Sequence, residues 1–332
     1  MNRRLLPLLL FAGACSSALA SDDNIYLTNL YDENNTDYYW NVKSSEDRQD
    51  LFTALTRDLG IAISHKNLIP GETLGIYGFE VGLDTTIAFV TTADMCDVDA
   101  AIATCQYQED RKDPWRVMDA DHRLTFGNAL LLPSLRIRKG LPFSTEAGLD
   151  LTYFSFSHQG ALSGYFRGAL HEGMWDQTWR IIPDVAFTIA STKFIGNEEF
   201  DLSILEWNLT LGWTVPVGGI KDSHVGTLSP FLGFGWMFIT AVPFADTSDV
   251  DNVSDRLLAL EGVTGRTSKT NTGETGDRPV VLDPSFSPLK LSIGMRIASG
   301  RFRLIHGLEV TYDANEGGFD PPTVSVGMGF IY

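Results

Sequence analysis

Beyond residue 20 the chain has no run of about 18 uncharged apolar residues, so no segment can cross a membrane as a helix. The mean hydropathy of −0.02 does not argue against strands that cross, because such strands turn only alternate residues toward lipid. Cysteine is scarce at three residues, and Cys96 and Cys105 have no further Cys or His spaced near them for zinc. Basic residues are also short, with 25 Lys and Arg against 42 Asp and Glu. The resulting net charge of −17 argues against nucleic acid as a partner, since phosphates demand Lys and Arg. No catalytic motif stands above chance, and no enzyme activity, cofactor or metal is expected.

What is present begins with a leader. Arg3 and Arg4 precede the apolar stretch Leu5 to Ala14, and Ala18-Leu19-Ala20 offers a small-x-small cleavage site. Residues 1–20 therefore read as a secretory signal peptide cleaved near Ala20. A competing reading takes Cys15 as a lipidation site, although Ala12 stands where such sites usually carry Leu. Export to an oxidising compartment makes a Cys96–Cys105 disulfide the natural expectation. Residues 21–73 form an N-terminal extension, polar over 21–45, expected on the periplasmic side. A helix is expected near 46–59, with Leu51, Phe52, Leu55 and Leu59 in one stripe and Gly60 at its end. It is expected to pack on or under the rest of the chain.

From residue 74 the pattern changes to period two. In 143–157, Ser144, Glu146, Gly148, Asp150 and Thr152 alternate with Ala147, Leu149, Leu151 and Tyr153. In 200–215, Leu205, Trp207, Leu209, Leu211 and Trp213 alternate with Glu206, Asn208, Thr210 and Gly212. Noisier versions recur in 74–90, 128–138, 161–171, 178–191, 227–241, 287–298, 301–312 and 323–332. The fold expected is all-β: an antiparallel up-and-down transmembrane barrel of about ten strands, within roughly eight to twelve, spanning 74–332. Aromatics on the apolar face (Tyr153, Trp179, Trp207, Trp213, Trp236, Tyr312) suit interfacial girdles better than the core of a soluble β-sandwich, the alternative weighed. The long connections 91–127 and 242–286 fall on one side, expected to be extracellular, and both chain ends on the other.

The last eight residues, Ser325-Val326-Gly327-Met328-Gly329-Phe330-Ile331-Tyr332, resemble the terminal signal of bacterial outer-membrane β-barrels. Ser325, Gly327, Phe330 and Tyr332 occupy its positions. The resemblance implies recognition by the barrel-assembly machinery and a place in the outer membrane of a Gram-negative cell, among its lipid and lipopolysaccharide. It identifies no functional subfamily.

The polar face of the strands supplies a charge network for the lumen. Its acids are Glu80, Asp84, Glu146, Asp150, Asp184, Glu206 and Glu309; its bases are Arg136, Arg138, Arg167, Arg180, Lys290, Arg296 and Arg303. Seven face seven, so in so narrow a barrel they should pair. The negative excess must sit in the N-terminal extension and the loops: 91–127 and 242–286 each hold eight acids against four bases. Asp246, Asp249, Asp251 and Asp255 lack the Gly and closing Glu of a calcium loop. Three functions follow as expectations. The first is porin-like passage of small solutes or ions through a charge-lined lumen. The second is a structural or surface-interaction barrel whose acidic loops meet cations, lipopolysaccharide or a partner. The third is a rim-active hydrolase, an outer-membrane protease or lipase, for which Asp119, Asp121, His122 and His158 are the positions to test and His306 faces lipid.

Overall fold

The computed structural model describes residues 25, 45–90, 115, 129–154, 157–171, 183–197, 200–217, 226–243, 285–313 and 318–332. The expected signal peptide, Cys15, Cys96 and Cys105 lie outside the described residues. Among the described residues one helix, α1 (Ser45–Ile63), precedes ten long strands. They are β1 (Phe79–Phe89), β2 (Ala129–Leu141), β3 (Thr145–Tyr153), β4 (Gly160–His171) and β5 (Asp184–Ile195), then β6 (Phe200–Gly212), β7 (Gly226–Pro243), β8 (Leu289–Ser299), β9 (Phe302–Asp313) and β10 (Thr323–Ile331).

Each strand pairs antiparallel with the next, and β10 returns to β1 from Glu80↔Ile331 to Ala88↔Thr323. The result is a closed ten-stranded antiparallel barrel with no free edge. The connections 90–128, 154–159, 196–199, 244–288 and 314–322 leave one end, called here the loop end. The start of β1 and Tyr332 lie at the other, C-terminal end, where Phe143 and Ser144 turn the chain at φ 62° and 52°.

The two faces of the wall are opposite in chemistry to those of a soluble sheet. Leu149 and Ile293 are each 56% exposed on the outside, whereas Glu146 and Arg167 are fully buried inside. A soluble sandwich hides its apolar face, so the sandwich alternative is excluded; an apolar exterior of this extent suits lipid. Trp207 and Trp236 face outward side by side, with ring centroids 6.4 Å apart.

Strand limits differ from the expected ones mainly at their ends. The first begins at Phe79 rather than 74, because 75–78 form a turn closed by the Gly78 amide donating to the Gly75 carbonyl (3.0 Å). The helix departs further from expectation. It runs past Gly60 to Ile63, so Gly60 is an interior residue rather than a stop. A Cβ there would stand 2.8 Å from Ile239 Cγ2, so glycine lets the helix backbone lie directly on the barrel wall.

The helix also lies inside the barrel, not on or under it. Phe52, Leu55 and Leu59 are completely buried among the inward side chains Leu132, Phe194, Phe200, Leu202, Ile204, Met237 and Ile239. All of these come from the half of the wall nearest the loop end. There the interior is apolar, and the helix is the apolar body that fills it. Replacing Phe200, which meets Phe52 edge-on at 6.1 Å and stacks on Phe194 at 5.4 Å, with Ala should cost about 3–5 kcal/mol. The check is equilibrium urea unfolding of the refolded protein, where the midpoint falls with little change in slope.

Candidate functional site

Leaving α1 at Ile63, the chain runs down the lumen and emerges at the C-terminal end near Gly75. Residues 61–70 are buried without exception. This segment is not a strand, so its backbone groups and side chains must find partners on the wall.

The midsection is built around two carboxylates. Asp150 on β3 takes the His65 imidazole at Nδ1 through Oδ2 (2.8 Å) and the Arg136 guanidinium Nε through Oδ1 (2.8 Å). Arg136 also reaches Asp84 (3.2 Å) and donates to the Lys66 carbonyl (3.2 Å). Glu309 on β9 pairs with Lys66 Nζ (3.3 Å) and Lys290 Nζ (3.5 Å) and accepts from the Asn67 amide (2.9 Å). Lys290 bridges on to Glu206 (3.1 Å) and donates to the His65 carbonyl. The Asn67 side-chain amide donates to Thr210 Oγ1 (2.8 Å), opposite Gly233, where a Cβ would sit 2.7 Å from Asn67 Nδ2. The His65 ring rests on Tyr165 with centroids 4.5 Å apart.

Nearer the C-terminal end, Arg138 joins Glu80 (2.8 Å) and Glu146 (3.4 Å), and Arg303 approaches Glu80 at 3.7 Å. Glu146 also accepts from the Leu74 amide (3.2 Å). Arg167 donates to the carbonyls of Ile69 and Pro70, and Arg296 pairs with Glu72. The lumen is thus occupied by a plug, residues 45–74, apolar where the wall is apolar and polar where it is charged. A small cavity beside Ser64, His65, Thr86, Ser134 and Asp150 has room for about one water.

Of the expected lumen charges, Glu80, Asp84, Arg136, Arg138, Glu146, Asp150, Arg167, Glu206, Lys290, Arg296, Arg303 and Glu309 all face inward on the wall. Asp184 is half-buried at the start of β5, at the C-terminal end of the barrel, and Arg180 lies outside the described residues. The pairing is not wall to wall alone: His65, Lys66 and Glu72 join it from the plug, and sequence reasoning missed them. A signal was available in the apolar inward positions Phe200, Leu202, Ile204, Met237, Ile239 and Ala241. On β7 both faces are oily there, with Phe238 and Val242 outside, which requires an apolar body inside.

The remaining expected positions are dispersed. Ser325 and Gly327 face the lumen, while Phe330 and Tyr332 are exposed outside, Phe330 meeting Phe302 at 5.5 Å. His158 is exposed in the β3–β4 connection and His306 is exposed on the outer wall. Asp119, Asp121, His122, Trp179, Asp246, Asp249, Asp251 and Asp255 lie outside the described residues. Among the described residues no group of three or more His, Cys, Asp or Glu could hold a metal ion.

No family model and no curated protein matches the chain. Solved structures do. The N-terminal β-barrel domain of Pseudomonas aeruginosa OprF is 8% identical, with a TM-score of 0.29, over 78% of this chain and 99% of that one. LpxR from Salmonella typhimurium is 11% identical, with a TM-score of 0.29, over 61% of this chain and 72% of that one. Ail, the attachment invasion locus protein of Yersinia pestis, is 9% identical, with a TM-score of 0.22, over 77% of this chain and 97% of that one. These overlaps are loose, and the closed barrel rests on the chain's own strand pairing.

Removing one partner from the plug–wall network should expose its weight. Glu309→Ala leaves Lys66 without its carboxylate and should destabilise the folded protein by about 3–5 kcal/mol. Adding Lys66→Met should recover part of that loss, since Lys290 keeps Glu206. Urea unfolding of the two single variants and the double variant reads both effects.

Proposed function

We propose that this chain is a bacterial outer-membrane β-barrel that is closed by its own N-terminal segment and acts through its loop-bearing outer face, as a structural or surface-interaction protein. The observation that carries this reading is the plug. The chain fills its lumen from the apolar cup around Phe200 to the Arg296–Glu72 pair.

The apolar exterior and the terminal Phe330-Ile331-Tyr332 support insertion in the outer membrane by the barrel-assembly machinery. A general-diffusion pore needs a water-filled lumen, and here Asp150 and Glu309 are each held by both wall and plug. Withdrawing the plug would strip partners from buried charges, each at a cost of several kcal/mol. The site of action then moves to the loop end. Its two long connections each carry eight acids against four bases, which suits divalent cations, lipopolysaccharide bridged by them, or a basic partner.

Single-channel recording in planar bilayers tests the closed lumen. The refolded mature protein should give no steady conductance, and deletion of residues 45–74 should give current if the wall still closes. A stable open level from the intact protein would overturn the closed reading and restore solute or ion passage as the function.

A further inference from the structure

The plug has a direction, and the direction places the N-terminal part of the chain. At its far end, residues 75–78 lie at the C-terminal end of the barrel, where the Gly140 amide donates to the Gly78 carbonyl (2.9 Å). At its near end, α1 sits in the apolar cup at the loop end. Residue 25 lies there as well. The Ile25 amide donates to Gln159 Oε1 (2.9 Å), and the Ile25 carbonyl accepts from Gln159 Nε2 (3.2 Å) and Asn197 Nδ2 (2.8 Å). Gln159 belongs to the β3–β4 connection and Asn197 to the β5–β6 connection, both at the loop end. Residues 25 and 79 are therefore on opposite sides of the barrel, and the chain joins them through the lumen.

We infer that the chain threads its own barrel through the lumen, so that Ile25 stands on the outer face of the membrane while β1 begins on the opposite side. This rests on the outer-membrane reading above for which end is outside, and departs from the periplasmic extension expected from the sequence. An even number of strands returns the C-terminus to the side on which β1 begins, but it says nothing about residues that enter before β1.

The threaded segment is fastened to most of the loop end. Trp115 of the β1–β2 connection donates from Nε1 to Asp58 Oδ2 (3.0 Å). Arg57 pairs with Asp320 of the β9–β10 connection (3.3 Å). With Gln159 and Asn197, four of the five loop-end connections hold the N-terminal segment.

Epitope insertion tests the threading. Three full-length variants carry a short epitope after Asp23, between Thr270 and Asn271, or between Lys221 and Asp222; heat-modified gel mobility verifies that each barrel has folded. Antibody is applied to intact cells and to cells with a permeabilised outer membrane. The Asp23 and Thr270 epitopes should stain intact cells equally, and the Lys221 epitope should stain only after permeabilisation. If the Asp23 epitope stains only after permeabilisation while the Thr270 epitope stains intact cells, the threading is wrong and the outer-membrane reading stands. If the Lys221 epitope stains intact cells and the Thr270 epitope does not, the assumed orientation fails and takes the inference with it.

Discussion

A charge facing the inside of a narrow barrel has little water to turn to, and the architecture of this protein follows from that constraint. The wall places six carboxylates and six basic groups in a space walled off by apolar outer residues. Pairing across the wall serves some of them, as Arg138 between Glu80 and Glu146 illustrates. Others need a partner from the middle of the lumen. Asp150 has His65, Glu309 has Lys66 and the Asn67 amide, and Arg167 has two plug carbonyls. The plug is thus part of the electrostatic structure of the wall.

The lumen also changes character along its length. Toward the C-terminal end the wall is charged, and the plug there is an irregular chain whose free carbonyls and amides serve as hydrogen-bond partners. Toward the loop end the wall turns apolar, and the plug becomes a helix that satisfies its own backbone and presents Phe52, Leu55 and Leu59. Each half of the plug takes the backbone form that its surroundings demand. The same division separates what holds the plug: geometry-specific ion pairs below, and nonpolar burial above.

A barrel filled in this way differs from a pore in what its surface can do. With the lumen occupied, the parts left free to meet another molecule are the outer wall, buried in lipid under the outer-membrane reading, and the two rims. The loop-end rim is tied together by Ile25, bonded to two connections, and by Arg57 and Asp58, bonded to one more each. Fastening the connections to a central segment lowers the ordering cost of binding anything at that face.

The barrel was legible in the sequence because an apolar exterior and polar groups inside impose a period of two, and side-chain direction alternates by local backbone geometry. Twelve of the expected lumen charges could be assigned to the inner face from parity alone. Parity is a property of neighbours in the chain, so it could not say what lies across the lumen. Seven acids and seven bases looked self-sufficient, and nothing in their number asked for His65, Lys66 or Glu72. The helix was likewise legible from its stripe, but a stripe says only that one face must be covered. That the cover is the inside of the barrel depends on residues far along the chain, such as Phe200 and Ile239. Local sequence determined the strands, their faces and the helix; only closure of the wall around the N-terminal segment decided that the lumen is full, because contacts across an enclosed space are set by three-dimensional proximity and not by spacing along the chain.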